Sequence, residues 1–168
     1  ARLTTLVLVT TFVGFYAGVQ GPIELGLMVH TLLGTALLAS GAAALNQLME
    51  RKADARMERT RERPLPAGKI EPRTALFLGG TACLVGLTYL AVTVNPLICA
   101  LGLVTLFSYL AVYTPLKRIT TLNTLIGAVP GALPPVMGWA AARGELSAGA
   151  WSLFALQFFW QIPHFLAI

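Results

Sequence analysis

The sequence predicts an all-α fold, a polytopic bundle of transmembrane helices, and three observations carry that prediction. Of 168 residues, 56% are hydrophobic and 11% charged, whereas a soluble domain carries about a quarter charged residues. The mean hydropathy is +0.72. The charged residues are also unevenly placed. Asn46 to Arg73 holds eight basic and five acidic residues, and outside it stand only Arg2, Glu24, Lys117, Arg118, Arg143 and Glu145. Long uncharged runs separate these groups: Leu3–Ile23, Leu25–Met49, Thr74–Leu116, Ile119–Ala142 and Leu146–Ile168. Each reaches the roughly 20 residues that a membrane helix needs. The pattern excludes a disordered segment, a disulfide-stapled secreted module and an ordinary soluble enzyme.

Each element follows from these runs. The first span, 3–20, could pass for the apolar region of a signal peptide, but five further apolar segments make it a membrane span. The second is 26–49. Thr74–Leu116 is long enough for two helices, and Asn95-Pro96 marks the turn between spans 74–94 and 96–114. The fifth span, 121–141, contains Pro130, Pro134 and Pro135. Prolines remove backbone donors, which a membrane tolerates only where the freed groups face protein or a wet cavity. A kink beside the functional cavity is therefore expected there. The sixth span is 149–168, giving a single membrane domain over 1–168 with a catalytic loop at about 50–73. The lack of an initiator Met and the end within an apolar run read as part of a longer chain.

Orientation follows from the loops. Eleven of the 12 basic residues fall on one side, with Arg143 alone on the other. The positive-inside rule makes that side cytoplasmic or its topological equivalent. The pI of about 9.7 thus reflects topology, and with no basic-aromatic motif present no nucleic-acid partner is expected. Cys83 and Cys99 lack metal-ligand spacing and read as small buried hydrophobes. Ala36, Ser40 and Ala44 read as a close-packing edge. His30 reads as a packing or interface residue, and Trp139, Trp151 and Trp160 as interface or core aromatics.

The chemistry concentrates at the end of the second span. Asn46, Glu50 and Asp54 stand four apart, so on a helix they drift by only about 40° per step and form one polar stripe. Two readings are open. Hard cations such as Mg²⁺ take oxygen ligands and need only one or two carboxylates beside substrate phosphates. Alternatively, the stripe is an ion-paired helix end answered by Arg51 or Arg56. Arg59 and Arg63 come directly after it, in a backbone stiffened by Pro64 and Pro66. Their planar forks suit phosphate oxygens, although basic loops also serve orientation. Tyr113, Lys117 and Arg118 close the fourth span on the same side, as phosphate partners or as snorkelling side chains.

Several separated motifs resemble the UbiA-like intramembrane prenyltransferases, and within them the protohaem IX farnesyltransferase (haem O synthase) branch. They are Asn46-x-x-x-Glu50-x-x-x-Asp54, Arg59-Thr-x-x-Arg63-Pro-Leu, Tyr113-Thr-Pro-Leu-Lys117-Arg118, Asn123-x-x-Ile-Gly-Ala, Gly131-Ala-x-Pro-Pro-x-x-Gly-Trp139 and Pro163-His164-Phe165. The resemblance covers essentially the whole chain and implies a UbiA-like helical bundle in a cell or mitochondrial inner membrane. It implies transfer of a farnesyl group from farnesyl diphosphate to a vinyl group of haem B. Asn46, Glu50 and Asp54 would hold Mg²⁺, while Arg59, Arg63, Tyr113, Lys117 and Arg118 bind substrate. His164 would contact haem or tie helices through a neighbour such as Gln161. Glu50 stands where many relatives have Asp, and the family's second acidic motif would come after Ile168, so these residues alone are expected to be inactive. Haem A synthase or oxidase-assembly proteins are the implied protein partners. Rival readings are an aromatic prenyl acceptor, a cation transporter using Glu50 and Asp54, and an oxidase-assembly factor.

Overall fold

A computed structural model describes residues 2–117 and 123–166. Arg118 and the side chain of Phe165 lie outside the described residues. The chain there is helical, without strands: α1 (Arg2–Gly18), α2 (Leu25–Asp54), α3 (Pro72–Thr93), α4 (Pro96–Phe107), a π-helical turn (Ser108–Tyr113), α5 (Thr114–Leu116), α6 (Asn123–Arg143) and α7 (Ala148–Leu166). Among the described residues four stretches, against the six spans expected, are long and apolar enough to cross a membrane: Leu25–Asp54, Pro72–Thr93, Pro96–Leu116 and Asn123–Arg143. Leu3–Gly18 is a shorter apolar helix. Large apolar side chains such as Phe77, Val92 and Phe107 are exposed on the outer faces. Such outward apolar faces are what a lipid surround requires.

Local chemistry sets the helix limits. Pro72 and Pro96 stand in the first turns of α3 and α4, where the missing N–H costs nothing. At the Asn95-Pro96 turn, the Asn95 side chain accepts from Ile98 N at 2.9 Å and donates to the Ala140 carbonyl at 3.1 Å. The turn is thereby tied to α6. α2 continues past Met49 to Asp54, so the carboxylate stripe is helical and the connecting segment begins only after it.

The packing differs from expectation in two places. The edge that α2 turns to α3 is Gly34, Leu38 and Gly41, which are buried, while Ser40 is exposed. Ala36 and Ala44 are half-buried, and Ala44 does pack closely on α3, against Gly79. Gly and Ala both permit close approach, so composition alone does not choose between two adjacent stripes. The second difference concerns the prolines. The α-helix of α6 continues through Pro130, Pro134 and Pro135, and all three are buried. The reason is the closeness of α1: a Cβ on Gly14 would overlap the Pro135 carbonyl, and one on Gly138 the Thr11 carbonyl. Gly138→Ala is accordingly expected to destabilise the protein by about 1–3 kcal/mol, read as a lower melting temperature in detergent.

Other side chains take structural places. Cys83 is buried and Cys99 half-buried, both as thiols. His30 Nδ1 meets the Tyr89 hydroxyl at 2.6 Å, joining α2 to α3. Trp139 is buried beneath the Arg143 guanidinium, 5.2 Å from its ring centroid, whereas Trp151 and Trp160 are exposed.

Candidate active site

The end of α2 carries the polar stripe. Glu50 and Asp54 are buried at the helix terminus, each with about 5% of its surface exposed. Buried carboxylates need partners, because desolvating a lone charge is costly. Both have one. Lys117 forms an ion pair with Glu50 Oε1, and Arg63 Nη1 lies 2.9 Å from Asp54 Oδ2. Thr60 Oγ1 donates to the Asp54 carbonyl at 3.0 Å, folding the segment after α2 back over its end. That fold-back brings Arg63 to Asp54.

Lys117 arrives by another route. The π-helical turn Ser108–Tyr113 precedes Pro115, which has no N–H to continue the α-helical ladder. A π-turn inserts an extra residue and rotates the side chains beyond it around the helix axis. Here Thr114 is buried, with Oγ1 2.9 Å from Asn46 Oδ1 and 2.8 Å from the Tyr109 carbonyl. Its single proton is shared between the two. Asn46 Nδ2 in turn donates to Glu50 Oε2 at 3.0 Å. The amide orientation is thus dictated, since its NH₂ must face the acceptor-only carboxylate. Asn46, expected among the metal ligands, has its oxygen bonded to Thr114 and its NH₂ to Glu50. Thr114 was not singled out by sequence reasoning; Pro115 was its only local signal.

The two carboxylates and their cations border one cavity of about 610 Å³, whose lining includes Glu50, Asp54, Arg59, Arg63, Tyr113 and Lys117. The expected carboxylates and cations therefore meet at one mouth. Lys117 Nζ also stands 5.7 Å from the Tyr113 ring centroid, and Tyr113 stacks on Tyr109 at 5.9 Å. His164 is elsewhere: it is exposed on α7 and stacks on Trp160 at 4.7 Å. Gln161 is buried and donates to the Gln157 carbonyl at 3.2 Å.

The donor set fits a hard divalent cation. Two carboxylates one turn apart supply oxygen ligands, and Arg63 engages Asp54 through Oδ2, on the other side from Oδ1. No cluster of three or more His, Cys, Asp or Glu side chains occurs among the described residues. A cation here would draw its remaining ligands from substrate oxygens and water, as Mg²⁺ does. Thr114→Val is expected to leave Asn46 Oδ1 unpaired and lower turnover about tenfold. Thr114→Ser, which keeps the hydroxyl, should retain turnover, whereas a purely steric role would instead tolerate the isosteric valine.

The fold and the site define a multi-pass membrane protein with an acidic-basic mouth suited to a phosphorylated substrate. The model of the UbiA prenyltransferase family matches residues 7–168, and the chain belongs to that family. It is 53% identical to the protoheme IX farnesyltransferase of Anaeromyxobacter sp. (strain Fw109-5), over 99% of this chain and 56% of that protein. It is 45% identical to that of Solibacter usitatus, over 99% of this chain and 60% of the relative. The human mitochondrial protoheme IX farnesyltransferase is 46% identical, over 99% of this chain and 38% of its own length. The chain thus spans little more than half the length of the bacterial relatives. Among solved structures, the apo form of a UbiA homolog from Aeropyrum pernix K1 shares the fold with a TM-score of 0.79. At 23% identity it covers 95% of this chain and 60% of that one.

Proposed function

We propose that the chain forms the diphosphate-binding half of a protohaem IX farnesyltransferase, which joins a farnesyl group to a vinyl carbon of haem B and yields haem O. The observation that carries the reading is the pair of buried carboxylates, each matched to a cation across one cavity at the end of the bundle. That arrangement occurs in a chain similar throughout to proteins bearing that name. In this reading all six long helical segments span the bilayer. Residues 55–71 lie on the cytoplasmic or matrix side of an inner membrane, in one membrane domain.

The charges explain how ionisation is promoted. Glu50 and Asp54 would hold Mg²⁺, which when bound neutralises diphosphate charge and eases its departure. Lys117 and Arg63, released in part from their carboxylates, turn to the diphosphate oxygens; Arg59 extends the same cationic rim, and the resemblance assigns Arg118 to the same substrate. Arg63 offers two parallel N–H donors and Lys117 a compact charge. The allylic C–O bond breaks with its electron pair leaving on the diphosphate. The farnesyl cation is then attacked by the π electrons of a haem vinyl group, forming a C–C bond. Water adds to the resulting porphyrin-stabilised cation and loses a proton, giving the hydroxyethylfarnesyl side chain. Tyr113, stacked on Tyr109, lines the cavity with an aromatic face beside the reacting centre. No nucleophilic side chain is needed. The further length of the relatives would supply the second acidic motif and complete the acceptor slot. The product would pass to a haem A synthase or to oxidase-assembly proteins.

Haem binding tests the acceptor. Full-length enzyme is expected to perturb the Soret band of added haem B; His164→Ala should shift that band if the histidine touches the iron and leave it intact if it only ties helices. An unperturbed spectrum alongside prenylation of a hydroxybenzoate would instead establish the aromatic-acceptor reading.

A further inference from the structure

A second concave feature lies outside the cavity just described. It is a groove of about 420 Å³ between the last turns of α2 and the first turn of α3, at the same end of the bundle as Glu50 and Asp54. Leu48, Met49 and Leu76 form its apolar part, and Met49 and Leu76 are exposed. Arg51, Lys52 and Arg73 add three positive charges from two helices, and no acidic side chain lines the groove. None of these cations forms an ion pair among the described residues.

Two ordinary roles account for part of this. Cations at a membrane border set orientation, and Arg51 and Lys52 in the last turn of α2 answer its carbonyl end. Arg73 is different. It stands in the first turn of α3, where the helix dipole already presents positive charge and a cation is unfavourable. The N-cap Glu71 makes no side-chain cap bond there, so the first-turn amides gain no help from it. Three cations without an ion-pair partner among the described residues, and the N-terminal end of α3, therefore converge on one concave surface. The groove also straddles the border where α2 and α3 pass from uncharged to charged sequence: Met49 and Thr74 end the apolar runs, and Arg51 and Arg73 lie just beyond. This is the level at which hydrocarbon gives way to headgroups.

We propose that this groove binds the phosphate headgroup of an anionic phospholipid, with its acyl chains against Met49 and Leu76. Charge complementarity selects an anion, and the apolar floor selects one that carries hydrocarbon. Inorganic phosphate would satisfy the cations alone. The site is separate from the prenyl diphosphate cavity, although Lys52 borders both.

The test is lipid retention by the full chain in detergent, measured by native mass spectrometry with equal amounts of phosphatidylglycerol and phosphatidylcholine. Phosphatidylglycerol is expected to be retained in preference. Arg51→Gln with Arg73→Gln should lower its retention roughly twenty-five-fold, about five-fold for each cation. Arg61→Gln with Lys69→Gln removes the same charge from exposed positions outside the groove, and should leave retention unchanged. Arg73→Gln alone, at an exposed position, should give the five-fold loss even if the double variant does not fold. Equal retention of both lipids, equal loss in both double variants, or displacement by inorganic phosphate at lipid concentration would each overturn the proposal.

Discussion

Replacing Glu50 by Gln or Asp54 by Asn is expected to lower prenyl transfer by the full-length enzyme about a hundred- to a thousand-fold, with the protein still folded in the membrane. Both changes keep the side chain's shape and remove the charge that the proposed Mg²⁺ requires. They also strip a partner from a cation: Lys117 loses Glu50, or Arg63 loses Asp54. Lys117 is 28% exposed and Arg63 39%, so water relieves part of that loss and folding survives. Turnover at saturating and limiting Mg²⁺, with melting in detergent as the folding control, checks the expectation. Wild-type turnover at limiting Mg²⁺ in either variant would remove that residue from the metal site.

Lys117→Gln is expected to lower kcat/KM for farnesyl diphosphate about a hundredfold, because it takes a fixed positive charge from the leaving group. Lys117→Arg should recover most of it. Arg63→Gln should cost less, about tenfold, since the more exposed guanidinium acts through higher effective dielectric. Steady-state titration of the prenyl diphosphate separates these cases. A Lys117→Gln enzyme with unchanged kcat/KM would show that the lysine serves only to neutralise Glu50.

Much of this was legible in the residues because desolvation is severe. A membrane leaves charged side chains few places, so the clustering of charge between Asn46 and Arg73 pointed to the apolar helices on either side and to the acidic-basic cavity. The four-residue spacing of Asn46, Glu50 and Asp54 placed them on one face, since helical periodicity is local. The role of Thr114 was not legible. It depends on a π-turn whose register is settled by contact with α2, and Pro115 signals a disturbance without its direction. The proline-rich helix misled for a related reason. Lost donors suggest a break, but the helix continues, and Gly14 and Gly138 let α1 pack closely against its Pro135 end. The choice between the Gly34–Leu38–Gly41 edge and its Ala36–Ser40–Ala44 neighbour likewise required knowing the partner helix. His164 stood out as a polar residue in an apolar segment, and its place beside Trp160 lies away from the diphosphate cavity.

The most direct measurement is the mass of the product formed when full-length enzyme in lipid vesicles receives farnesyl diphosphate together with equal haem B and hydroxybenzoate. The account predicts a haem carrying one farnesyl group plus one water, formed only with divalent cation and lost in Glu50→Gln. Farnesylated hydroxybenzoate with haem B recovered unchanged would contradict it.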